Sequence, residues 1–116
     1  VVAARQLCDK HITKMTVESC QILATVMHRY GLGHLVTYKP THQNSPCTRW
    51  AGDSFQNFYW LFLHAQELAY EFTRRYDKIH KSQQYLQEYS APDALPDIGL
   101  TPFALVMPEC YHIKIR

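Results

Sequence analysis

The tightest constraint on the fold of this chain is a row of apolar side chains, Phe55, Phe58, Phe62, Ala65, Ala69, Phe72 and Tyr76, which recur every three or four residues. At about 3.6 residues per turn this spacing keeps one face through more than five turns, so it predicts a long amphipathic helix with its stripe in a core. Asp53 or Ser54 stands ahead of it as N-cap, and the helix is expected to end near Tyr76. A second long helix is read over residues 2–29, where Leu7, Ile12, Met15, Ile22 and Val26 recur at helical spacing and no Pro or Gly intervenes. Gly31 supplies its C-cap. Because that helix starts uncapped at the first residue, a short N-terminal leader is expected to precede Val1.

Between the two helices, Gly31, Gly33, Pro40, Asn44 and Pro46 predict a long loop over residues 31–53. A shorter, more polar third helix is expected from about Lys78 to Tyr89, followed by a loop-rich tail punctuated by Pro92, Pro96, Pro102 and Pro108. The expected fold is therefore all-α, one compact domain over residues 1–116, with two long helices packed together. Its 116 residues, 47% hydrophobic and 19% charged, suffice for one real core and exclude a disordered or fibrous chain. No apolar run approaches the ~20 residues that span a bilayer, and no secretory signal opens the chain. A soluble, intracellular monomer without membrane attachment is expected. Cys8, Cys20, Cys47 and Cys110 form no CxxC pair; the simplest reading is reduced thiols, with a zinc site among cysteines and histidines left open. No metal and no cofactor is expected.

Chemistry is concentrated on one face of the first helix, where His11, Lys14, Glu18, Gln21 and Thr25 follow steps of three and four. Such a face can be a solvated surface with a Lys14–Glu18 ion pair, or the wall of a cleft. Thr16, Ser19 and Cys20 interrupt the opposite, apolar side, which predicts packing on more than one side and a cleft at His11 and Glu18. From Glu18 to Asp53 the chain carries Arg29, Lys39 and Arg49 but no acid, interleaved with Tyr30, Tyr38 and Trp50. A second basic group is Arg74, Arg75, Lys78 and Lys81. Basic loops with aromatics suit phosphate contacts and base stacking, although the net charge is only +2. The loop 38–47 is dense in polar groups, among them Lys39, Thr41, His42 and Asn44, which could equally satisfy the loop's own backbone. No GxGxxG, GxxxxGK[ST], GxSxG or HExxH is present.

The run Cys8-Asp9-Lys10-His11 with Lys14 and Glu18 resembles the first long helix of phage pyrimidine dimer DNA glycosylases of the endonuclease V type, in which a histidine stands seven residues before the catalytic glutamate. Leu61, Glu67-Leu68, Glu71 and Arg74-Arg75 resemble their second helix. Cys8-Asp9-Lys10-His11, Lys39-Pro40-Thr41-His42 and Thr101-Pro102-Phe103-Ala104 are also similar to motifs of uncharacterised tailed-phage proteins. The resemblance implies an all-α enzyme that kinks duplex DNA, flips a base and attacks C1′ of the sugar with its N-terminal amine, with no cofactor. It places Glu18 in the role of catalytic carboxylate and His11 at the histidine position. Two arginines that grip DNA in that family correspond here to Val17 and Gln21.

The expected function is release of damaged or modified pyrimidines from double-stranded DNA, with or without abasic-site lyase activity, in the cytoplasm of an infected bacterial host. Glu18, His11 and Lys14 are the catalytic candidates. Gln21, Lys39, Thr41, His42, Asn44, Arg49, Trp50, Asn57 and Lys81 are the DNA-binding candidates. Action on phage-modified bases or nucleotides, and a non-enzymatic phage protein that binds a host factor, remain as alternatives.

Overall fold

A computed structural model describes residues 9–41 and 43–101, the side chains of Asp9 and Lys10 excepted. The described residues form three α-helices, α1 (Asp9–Arg29), α2 (Pro46–Ala51) and α3 (Phe55–Tyr76), with a 3₁₀ segment at Gly33–Leu35 between α1 and α2 and another at Lys81–Glu88 after α3. No strand occurs among the described residues, so the chain is all-α as expected. The start of the first helix and the tail beyond Thr101 lie outside the described residues.

α1 ends where the sequence places its stop. Gly31 has φ 79°, and the amides of Gly31 and Leu32 reach back to the carbonyls of His28 and Met27, at 3.1 and 2.9 Å. This paired closure needs a left-handed residue, which glycine adopts without a Cβ clash. α3 begins at Ser54, whose hydroxyl accepts from the Asn57 amide at 3.0 Å, and closes at Asp77 in the left-handed region.

α1 and α3 form the main packed pair. Ile12, Met15, Leu23, Val26 and Met27 of α1 are buried with Phe58, Leu61, Ala65, Leu68, Ala69 and Phe72 of α3. Each large side chain here contributes about 1.5–3 kcal/mol of burial. The buried row of α3 is rotated from the expected stripe: Phe55 and Tyr76 are 43% and 38% exposed, whereas Leu61 and Leu68 are buried. Aromatics occur all round this helix, so spacing alone cannot select the inward face. α1 is covered on several sides, by α2, α3 and both 3₁₀ segments. Its polar interior residues are accommodated locally, as where Thr16 Oγ1 donates to the Ile12 carbonyl at 2.7 Å.

Two expectations are corrected, while the shorter third helix is present as a 3₁₀ helix started by His80, whose Nδ1 accepts from the Ser82 amide at 2.9 Å. The loop over 31–53 contains α2, because Pro46 takes the first helical position, where its missing N–H costs nothing, and Ser45 caps it. Cys47 is disulfide-bonded rather than reduced, and Cys20 is a free, buried thiol. Pairing depends on tertiary proximity, which cysteine spacing along the chain does not report. Cys8 and Cys110 lie outside the described residues. Among the described residues no helix is long and apolar enough to cross a membrane, and no group of three potential metal ligands occurs.

Candidate functional site

Glu18 is half-buried on the outer face of α1, and its Oε2 is buried without a hydrogen-bond partner. It is the only carboxylate oxygen in that condition among the described residues. A buried carboxylate oxygen without a hydrogen-bond partner is costly and calls for an explanation. Lys14, one turn earlier, is exposed and makes no ion pair with it. The expected Lys14–Glu18 pair is thus not formed. His11 is half-buried two turns before Glu18, about 10 Å along the axis, so the two cannot touch through a direct hydrogen bond. Gln21 is half-buried one turn after Glu18, on the same face.

Two turns after Glu18 this face meets a strap whose described residues are 38–41 and 43. Thr25 Oγ1 accepts from the Thr41 amide at 2.9 Å, and its proton can go to the carbonyl of Thr41 or of Gln21. His28 Nε2 donates to the Tyr38 carbonyl at 2.9 Å, and Arg29 Nη2 donates to the Gln43 carbonyl at 2.6 Å. At its start the strap is pinned by Glu88, which accepts from the Thr37 amide and hydroxyl at 2.9 and 2.6 Å. The Tyr38 hydroxyl shares a proton with Ser82 Oγ at 2.6 Å. Between strap and helix lies a cavity of about 260 Å³ lined by Thr25, His28, Arg29, Pro40 and Gln43. Sequence reasoning counted Arg29 in the basic stretch but placed neither it nor His28 at a pocket. At a helix C-terminus they read as ordinary partners of the dipole, and only the fold-back of the strap makes them a wall.

The DNA-binding candidates divide by exposure. Lys39, Asn44 and Arg49 are exposed on the strap side, Thr41 is half-buried, and Lys81 is exposed beyond α3. His42 lies outside the described residues. Trp50 and Asn57, by contrast, face the interior. Asn57 is fully buried, and its Nδ2 donates to the Trp50 carbonyl and to Thr101 Oγ1, both at 2.7 Å. Its Oδ1 accepts from the Thr101 amide at 2.9 Å. Trp50 is 4% exposed, donates Nε1 to the Thr101 carbonyl, and meets Trp60 edge-on at 5.8 Å. Neither side chain is presented as a stacking surface or a ligand contact; both tie residues 50, 57 and 101 together. The structure therefore brings Asn57 into no common pocket with His11, Lys14 and Glu18.

Other groups are set for structure. Burial pushes the Cys20 thiol up to about 12, so it stays protonated and is no nucleophile near neutral pH. Glu71, 5% exposed, accepts from Arg74 Nε and Nη2 and from Arg75 Nε, at 3.1, 2.5 and 2.7 Å. The hydrogen bonds from Arg74 are the main cause of its carboxyl sitting down at about 2. Two cations of the second basic group are therefore held by one acid.

Residues 1–84 match the family described as pyrimidine dimer DNA glycosylase, whereas no curated protein and no solved structure matches the chain. The matched stretch holds α1 with His11 and Glu18, the strap, α2, α3 and Lys81. With 84 of its 116 residues inside the match, this chain belongs to the pyrimidine dimer DNA glycosylase family.

Proposed function

We propose that this chain cleaves a C1′–N bond of a pyrimidine dimer in double-stranded DNA, with Glu18 as the catalytic carboxylate. The observation that carries the reading is the buried, unpartnered Oε2 of Glu18 on a half-buried side chain inside the family match. As the C1′–N bond breaks, its electron pair leaves with the base and positive charge develops on the sugar. A carboxylate with one oxygen shielded from water stabilises that charge more than a fully solvated one would. Glu18 also moves protons between the attacking group and the sugar. If the attacking group is an amine, the product is an iminium at C1′. Loss of a C2′ proton then expels the 3′ phosphate, which is the lyase step.

In this reading Lys39, Arg49 and Lys81 hold backbone phosphates, with Lys14 beside Glu18 doing the same next to the reacting sugar. His11 and Gln21 line the same face of α1. Glu18→Gln keeps the shape and removes the charge, so it is expected to abolish base release from ultraviolet-irradiated duplex while DNA binding persists. Retention of base release would refute the role. One observation favours a second reading, action on modified pyrimidines: Val17 and Gln21, both half-buried, stand where arginines flank the glutamate in the enzymes this chain resembles. Turnover of modified duplexes in preference to irradiated DNA would support it.

A further inference from the structure

The cavity at the C-terminal end of α1 is walled by groups that are fixed in place before any ligand arrives. Arg29 is tethered to the Gln43 carbonyl at 2.6 Å, and its Nη1 lies near Gly52, so the guanidinium spans from the strap to the end of α2. No carboxylate among the described residues pairs with it, in contrast to Arg74 and Arg75. His28 is held by the Tyr38 carbonyl and packs on Gly33, where any Cβ would run into the imidazole ring. The Thr25 hydroxyl is already engaged with residues 21 and 41. What the 260 Å³ cavity still offers is the remaining guanidinium N–H groups of Arg29. Among the described residues no Phe, Tyr or Trp lines it. A pre-oriented guanidinium with no carboxylate partner among the described residues suits a phosphate.

We propose that this cavity binds a backbone phosphodiester of the DNA strand that Glu18 acts on, with Arg29 as the contact. The proposal rests on the DNA-processing reading above. Arg29 lies eleven residues beyond Glu18, about 16 Å along α1, and phosphates of one strand advance about 3.4 Å each along a duplex. For a strand that runs along α1, the phosphate held is then four to five nucleotides from the target sugar. The site acts as a ruler on the backbone and carries no preference for base sequence.

The test is the salt dependence of duplex binding by the full chain. With Arg29→Gln the slope of log affinity against log salt is expected to shrink by about 0.9, equally for irradiated and unirradiated duplex. Arg29→Lys, which keeps the charge, is expected to retain the slope. Replacing the phosphate four or five nucleotides from the lesion by a neutral methylphosphonate is expected to weaken binding by the unaltered chain but not by Arg29→Gln. An unchanged slope in Arg29→Gln, with duplex binding intact, overturns the phosphate site and leaves the Glu18 reading standing. Saturable binding of thymidine 5′-monophosphate that needs Arg29, without a change in duplex slope, assigns the cavity to a free phosphomonoester and overturns the proposal. Loss of base release in Glu18→Gln is independent of all these outcomes.

Discussion

Replacing Asn57 by Ala should destabilise the fold without touching DNA recognition. Its side chain makes three hydrogen bonds of 2.7–2.9 Å, two as donor and one as acceptor, in a fully buried position. A hydrogen bond is worth a net 0.5–1.5 kcal/mol, and stranding a buried partner costs about 1–3 kcal/mol. Thr101 is half-buried, so water can reach its freed groups; the Trp50 carbonyl, under a 4% exposed indole, is harder to resolvate. The expected loss is about 3 kcal/mol. For a domain of this size that lowers Tm by roughly 10–15 °C. Urea unfolding, followed by tryptophan fluorescence, should show a lower midpoint with an unchanged m-value. Below its Tm the variant should bind duplex DNA with the affinity of the unaltered chain. A loss under 1 kcal/mol, or a stable variant that fails to bind DNA, would refute the structural assignment and return Asn57 to the site.

Two acid-dependent effects follow from buried groups. His64, 4% exposed and stacked on Trp60, is held down to about 4, chiefly by burial. The unfolded chain takes up this proton near pH 6.5 and the folded chain resists until about 4, so stability falls as pH drops through that window. A gap of about 2.5 pH units, at 1.36 kcal/mol each, caps the loss at about 3 kcal/mol. Urea unfolding at pH 7 and pH 4.5 checks it, and His64→Phe should flatten the difference. Glu71, whose folded value lies below its usual one because of Arg74 and Arg75, contributes stability above about pH 4.5 that is lost as pH falls toward about 2. Thermal unfolding across pH 2–5 should show that acid sensitivity in the unaltered chain and its absence in Glu71→Gln.

How far the sequence speaks for this molecule depends on whether the signal is local. Helix ends are local: Ser54 and Gly31 mark the boundaries because capping and left-handed closure involve neighbours only. The inward face of α3 is not, because Phe55, Tyr59 and Tyr70 are as apolar as the residues that are buried. Only packing on α1 decides among them. Pro46 reads as a breaker until Ser45 is seen to cap a helix that starts on it. The row His11, Lys14, Glu18, Gln21 was readable because helical periodicity is regular, whereas the isolation of Glu18 Oε2 required the surrounding atoms. Trp50 suggested a surface because an aromatic among basic residues suits DNA, and Asn57 because a polar side chain among aromatics could face a ligand or complete a cap; hydrogen bonds of both with Thr101 put them inside. Arg29 was legible only as one charge of a basic stretch, and the pocket it shares with His28 was not, since that comes from a strap that folds back from ten or more residues away.

The most direct test of the account is single-turnover base release from ultraviolet-irradiated duplex DNA, with protein in excess, by the intact gene product and its Glu18→Gln variant. Borohydride in parallel reactions reports whether an amine adduct forms. The account predicts rapid release by the unaltered chain and a loss of at least a hundredfold in Glu18→Gln, about 3 kcal/mol of barrier, with duplex affinity preserved. Equal rates in the two proteins would contradict it.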